Sequence, residues 1–136
     1  MRPGSPTRPC TWPGDGVYSI TKDFGWSASH QLGGLPAAHP CARLHGHNYV
    51  ARIEVAGDQL DETGFVVDFG DLGFVREYID TQLDHRHLND VLPFNPTAEN
   101  LARHLADVAR RGLTVPDLLV SASVSETPKT WARWTP

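Results

Sequence analysis

"VYSITKDFGWSASH", Val17 to His30, decides how this chain folds. Its even positions are Tyr18, Ile20, Lys22, Phe24, Trp26, Ala28 and His30, and its odd positions are Val17, Ser19, Thr21, Asp23, Gly25, Ser27 and Ser29. Alternation of this kind marks a strand with one buried face. His30 ends it on the apolar side. The loop "QLGGLPAAHPCAR" follows, and a second strand is expected from His45 to Ala56, with His45, His47, Tyr49, Ala51, Ile53 and Val55 in its apolar phase. If the two strands form an antiparallel hairpin, the end of the first lies beside the start of the second. Three imidazoles then converge on one face, the donor set of a catalytic zinc site with an open fourth position.

Outward from this hairpin, "GDQLDETG" reads as a turn and "FVVDF" (65–69) as a short strand. Leu72, Val75, Ile79 and Leu83 recur at helical spacing. A second helix opens at Pro96 or Thr97, buries Leu101, Leu105 and Val108, and stops at Gly112. In "DLLVSASVSET", Leu118, Val120, Ala122, Val124 and Glu126 share a face, and "TWARW" reads as a last short strand. Strands and helices segregate, which predicts an α+β domain: an antiparallel sheet with helices on one face and edges that oligomerisation can cover. Residues 1–16, rich in Pro and Gly, read as a flexible tail, and 17–136 as one domain.

Composition narrows the function. The 12 Lys and Arg against 16 Asp and Glu give a net charge of −4, which argues against a nucleic-acid-binding face. Apolar runs fall far short of the roughly 20 residues a membrane helix needs, and nothing resembles a signal peptide. Two cysteines, with Cys10 in the tail, make a poor disulfide framework. The expectation is a cytoplasmic protein in which Cys41 is a free thiol.

Cys41 precedes His45 by four residues. It could close a structural zinc site, or it could be a reactive thiol, because a nearby cation and histidines favour the thiolate. A thiol used in catalysis needs a base, and "LDHRHLND" offers Asp84 beside His85, with His87 as a competitor. Glu126 falls in the apolar phase of its strand, where an unpaired carboxylate is costly. It either pairs with an arginine, or receives paired N–H donors, as an amino-pyrimidinone edge presents them, or turns to water.

Together "WSASH", "CARLHGHNY", "GFVVDFGDL", "LDHRHLN", "NPTAENLA" and "SETPKTWA" resemble the 6-pyruvoyltetrahydropterin synthase family, from about Tyr18 to Trp134. The four-residue step from Cys41 to His45 is most similar to the bacterial branch that forms 6-carboxytetrahydropterin. The resemblance implies the T-fold: a four-stranded antiparallel sheet with two helices, assembled through sheet edges into a barrel and a homohexamer, with active sites at subunit interfaces. It implies Zn2+ on His30, His45 and His47, and Cys41 as a general base served by Asp84 and His85. It also implies Glu126 as the pterin anchor and a member of the proton relay, and Thr97 in the pterin pocket. The implied reaction converts 7,8-dihydroneopterin triphosphate to 6-carboxy-5,6,7,8-tetrahydropterin, with release of acetaldehyde and triphosphate, in queuosine or other 7-deazapurine biosynthesis. A pyruvoyl-forming lyase and a non-catalytic pterin-binding protein are the alternatives. Ser125 stands where that branch often has lysine, and Ser29 where alanine is common.

Overall fold

A computed structural model describes residues 16–136. The expected tail, Cys10 included, lies outside the described residues except for Gly16. Strand β1 (Tyr18–His30) pairs antiparallel with β2 (His45–Gly57) along its whole length. After β2 come helix α1 (Gly73–Gln82), the two-residue strand β3 (Arg86–His87) and the single-turn helix α2 (Leu88–Val91). Helix α3 (Ala98–Gly112), β4 (Leu119–Thr127) and β5 (Thr130–Trp134) complete the chain. The sheet runs β3-β1-β2-β4-β5, antiparallel except for β1 with β3.

The predicted alternation holds in β1 and β2. Phe24, Trp26, Ala28 and His30 of β1 are buried, with Tyr49, Ala51, Ile53 and Val55 of β2 beside them. Helix α3 packs on the same side of the sheet, chiefly across β4 and β5, with Leu101, Ala102, Leu105, Ala106, Val108 and Ala109 buried. Thr97 caps it by accepting the Asn100 N–H, while Glu99 in the first turn and Arg110 and Arg111 in the last complement its dipole. Helix α1 adds Val75 and Ile79.

Three expectations need correction. The sheet has five strands rather than four, and the extra one is not "FVVDF". In that stretch the backbone bonds locally: Asp61 Oδ1 accepts the N–H groups of Thr63 and Phe65, and Asp68 caps a 3-10 turn over Phe69–Leu72. An apolar run reads like a strand, but without a partner its amides find nearer acceptors. The extra strand is Arg86–His87, held beside Ala28 and Ser29 of β1. In β4, the pairing jumps from Val55–Leu119 to Glu54–Ser121, a bulge that takes up Val120. Leu119 therefore replaces Val120 in the core, whereas Ala122 and Val124 keep their predicted phase.

Gly112 is needed for space at the end of α3. A Cβ there would run into the Phe74 ring. Gly112→Ala is expected to lower stability by about 1–3 kcal/mol in urea denaturation, as overpacking does. Adding Phe74→Leu should restore part of the loss.

Candidate metal and proton-transfer site

The hairpin register places Cα of His30 opposite His45, and Ala28 opposite His47. All three rings project from the core face at one end of the sheet. Their ligand atoms lie within 4.8 Å of one another, and among the described residues no cysteine joins the group. His30 is fully buried.

Hydrogen bonds set the tautomers. His30 Nδ1 lies 2.8 Å from the Pro96 carbonyl, and His45 Nδ1 2.7 Å from the Arg43 carbonyl. A carbonyl can only accept, so each Nδ1 carries the proton. The neutral rings then turn two bare Nε2 lone pairs toward each other at 2.8 Å. A cation between them relieves that contact, and backbone acceptors behind ligating imidazoles are the usual support of a metal site. The donor set fits a metal ion.

Burial pulls His30 down from 6.5 to about 4, against the Pro96 hydrogen bond, with His45 and His47 adding to the fall. Burial also lowers His47. Between pH 6.5 and 4 the unfolded chain therefore binds protons that the folded, metal-free chain refuses. Stability then rises with pH across this window and is lost as pH falls through it. The melting temperature of metal-free protein should drop from pH 6.5 toward 4, and His30→Asn should flatten the dependence.

Glu126, on β4, brings Oε2 to 3.5 Å from His30 Nε2 and 3.8 Å from His47 Nε2. Among the described residues no Arg or Lys pairs with it, and its side chain remains one-quarter exposed. The Tyr49 hydroxyl is buried beside these rings without a hydrogen-bond partner among the described residues. Burial raises its pKa, and the Glu126 charge raises it further.

Cys41 occupies a 3-10 turn, Pro40–Ala42, in the loop between β1 and β2. Its N–H donates to His39 Nδ1, its carbonyl accepts the Leu32 N–H, and its thiol is free and partly buried. The Asp84–His85 pair sits across β1, at the β3 edge. Asp84 Oδ1 accepts the Ser27 N–H at 3.0 Å and lies 2.9 Å from His85 Nδ1. These two contacts, the Ser27 amide first, hold the Asp84 carboxyl below its ordinary range.

His85 has φ +59°, and its N–H donates to the Ser27 carbonyl. Among the described non-glycine residues it alone has positive φ, a conformation that costs energy and recurs at functional sites. Its side chain is 81% exposed, so it faces outward. His87 is held differently, with Nδ1 2.9 Å from Ser29 Oγ. The carboxylate thus orients His85 and not its competitor.

Among the described residues no hydrogen bond or ion pair joins the Cys41 thiol to Asp84 or His85. Thr97 uses its hydroxyl to cap α3, next to the Pro96 carbonyl that holds His30. Sequence reasoning missed the carbonyls of Pro96 and Arg43 and the amide of Ser27. Backbone groups leave no side-chain signature. The Pro96 carbonyl is revealed by the approach of the α3 start to the hairpin, the Ser27 amide by the packing of β3 against β1, and the Arg43 carbonyl by the turn into β2.

The family model for 6-pyruvoyl tetrahydropterin synthase matches residues 19–136. The chain belongs to this family. A Bacillus subtilis relative named 6-carboxy-5,6,7,8-tetrahydropterin synthase is 33% identical over 129 residues, 88% of this chain and 86% of that protein. A Synechocystis relative of the same name is 39% identical over 92 residues, 63% of this chain and 70% of its own length. The solved structure of Caenorhabditis elegans 6-pyruvoyl tetrahydropterin synthase superposes with a TM-score of 0.79 at 24% identity, covering 89% of this chain and 96% of that one. The fold is the T-fold shared by the 6-pyruvoyl tetrahydropterin synthase family, and its metal-capable histidines lie at the hairpin end of the sheet.

Proposed function

We propose that this protein is a zinc-dependent 6-carboxytetrahydropterin synthase acting on 7,8-dihydroneopterin triphosphate. The observation that carries the reading is the His30–His45 contact: two bare nitrogens 2.8 Å apart, with His47 and Glu126, which no Arg or Lys among the described residues pairs with, beside them, in a chain with bacterial relatives of that name. The histidines hold the ion. Bound zinc supplies Lewis acidity to the hydroxyls of the substrate side chain and steadies charge that develops on oxygen.

The chain's own groups do the rest. Glu126 accepts paired N–H groups from the pterin ring and fixes its orientation beside the three histidines. Cys41, as thiolate, takes a proton from the side chain. Asp84 keeps His85 in the tautomer that leaves Nε2 bare, ready to accept a proton. The missing link between Asp84–His85 and the Cys41 of the same chain supports an assembled site, in which the outward-facing His85 serves the Cys41 of a neighbouring copy. Edge β5 and the length of β1 that no strand covers among the described residues are surfaces through which a homohexamer would close. On this reading the protein works in the cytoplasm, in synthesis of queuosine or a related deazapurine.

The test is product analysis by mass spectrometry, with an acetaldehyde assay, after zinc-loaded protein meets 7,8-dihydroneopterin triphosphate. Carboxytetrahydropterin with acetaldehyde supports the proposal. A pyruvoyl product without acetaldehyde would move the protein to the sister activity, and no turnover with zinc bound would make it a pterin-binding protein.

A further inference from the structure

Past His30 the chain leaves the sheet, yet Gln31, Leu32 and Gly33 are still bonded along both edges. On one edge, two asparagines stand in for a neighbouring strand. Asn89 Oδ1 accepts the Gln31 N–H at 2.9 Å, and its Nδ2 donates to the Gln31 carbonyl at 2.7 Å. Asn95 holds Gly33 in the same way, at 3.0 and 3.3 Å. A carboxamide carries an acceptor and N–H donors in one plane, so it can offer a residue the two bonds that a paired strand would. The series carries on from the β3 edge, where Ala28 and Ser29 pair with Arg86 and His87. On the other edge, the Leu32 N–H donates to the Cys41 carbonyl at 2.9 Å, and Gln31 Nε2 to the Ala42 carbonyl at 3.0 Å. Gly34, with φ +78°, lies in the bend that follows.

We propose that Asn89 and Asn95 are positioning residues for Cys41. By gripping Gln31 and Gly33 they fix the short run of chain to which the Cys41 turn is tied, and so set where its thiol stands relative to the histidines. Burial explains why the loop needs them. No residue from Gln31 to Cys41 is buried, and the Pro40–Ala42 turn contributes none to the core. Apolar packing therefore cannot hold this loop, and hydrogen bonds must. The asparagines are themselves set by structure the site already uses. Asn89 belongs to α2, directly after β3, and the Asn95 carbonyl accepts the Thr97 N–H and Asn100 Nδ2 at the start of α3. Asn89 and Asn95 thus tie the thiol's loop to the segments that carry His85 and the Pro96 carbonyl behind His30. Only their effect on turnover rests on the proposed function.

The test uses full-length, metal-loaded Asn89→Ala and Asn95→Ala, both changes at exposed positions, with Gly112→Ala as a control destabilised away from the loop. Alkylation of Cys41 by iodoacetamide, followed by peptide mass spectrometry that separates it from Cys10, should run about tenfold faster in each asparagine variant. Gly112→Ala should match wild type, and metal content should be unchanged in all three. With 7,8-dihydroneopterin triphosphate, kcat should fall by about 10²-fold and KM stay within about threefold, because a misplaced base slows the chemical step without weakening substrate binding. Alkylation at the wild-type rate in both asparagine variants would overturn the positioning role. So would equal acceleration in Gly112→Ala, since the thiol would then report global stability. Wild-type protein that binds metal but shows no turnover would count against the proposed function alone, and the alkylation rates would still decide whether the asparagines hold the loop.

Discussion

On the proposed function, Cys41→Ala should keep its metal and lose its turnover. With the thiol outside the histidine group, metal content measured by mass spectrometry should stay near that of wild type. The rate should fall by about 10²–10⁴-fold, the range for loss of a positioned acid or base. Cys41→Ser should recover little, since a hydroxyl is far less acidic than a thiol. A Cys41→Ala protein that shed its metal would instead identify a closed cysteine–histidine site, and the thiol would no longer be free to accept a proton.

His45→Ala should lose both metal and activity. His45 supplies one of the two nitrogens that meet at 2.8 Å, and its backbone anchor, the Arg43 carbonyl, exists only for that ring. Without it, His30 and His47 are left with a two-nitrogen site. Metal should leave during dialysis, and turnover should fall by about 10³-fold or more, because Lewis acidity worth several kcal/mol goes with it. The fold should survive, since His45 is a half-buried residue at a strand end and contributes little to the core. Metal retention with full activity in His45→Ala would remove the histidine triad from the chemistry.

The contrast between these variants separates two parts of the site that differ in how far the sequence reveals them. The histidines were legible because strand geometry is periodic: residues two apart share a face, and a hairpin aligns the end of one strand with the start of the next. His30 opposite His45 follows from those rules alone. Cys41, Asp84 and His85 lie in turns, where no period operates. Their residue types and their likeness to a family suggested a role, but nothing in their spacing could say that Asp84 would grip His85, or that the pair would face away from the protein's own core. That depended on the positive φ of His85 and on the Ser27 amide, both products of β3 settling against β1.

The same division runs through the fold. Alternation and helical spacing determined the long strands, the two main helices and the buried face, because burial of apolar side chains is a local pattern with global consequences. Only the tertiary structure decided that "FVVDF" is not a strand, that Arg86–His87 is one, and that a bulge exchanges Val120 for Leu119 in the core. Those outcomes turn on which backbone amide finds which carbonyl. Every residue but proline carries the same two groups, so the choice is made by the neighbours that folding supplies.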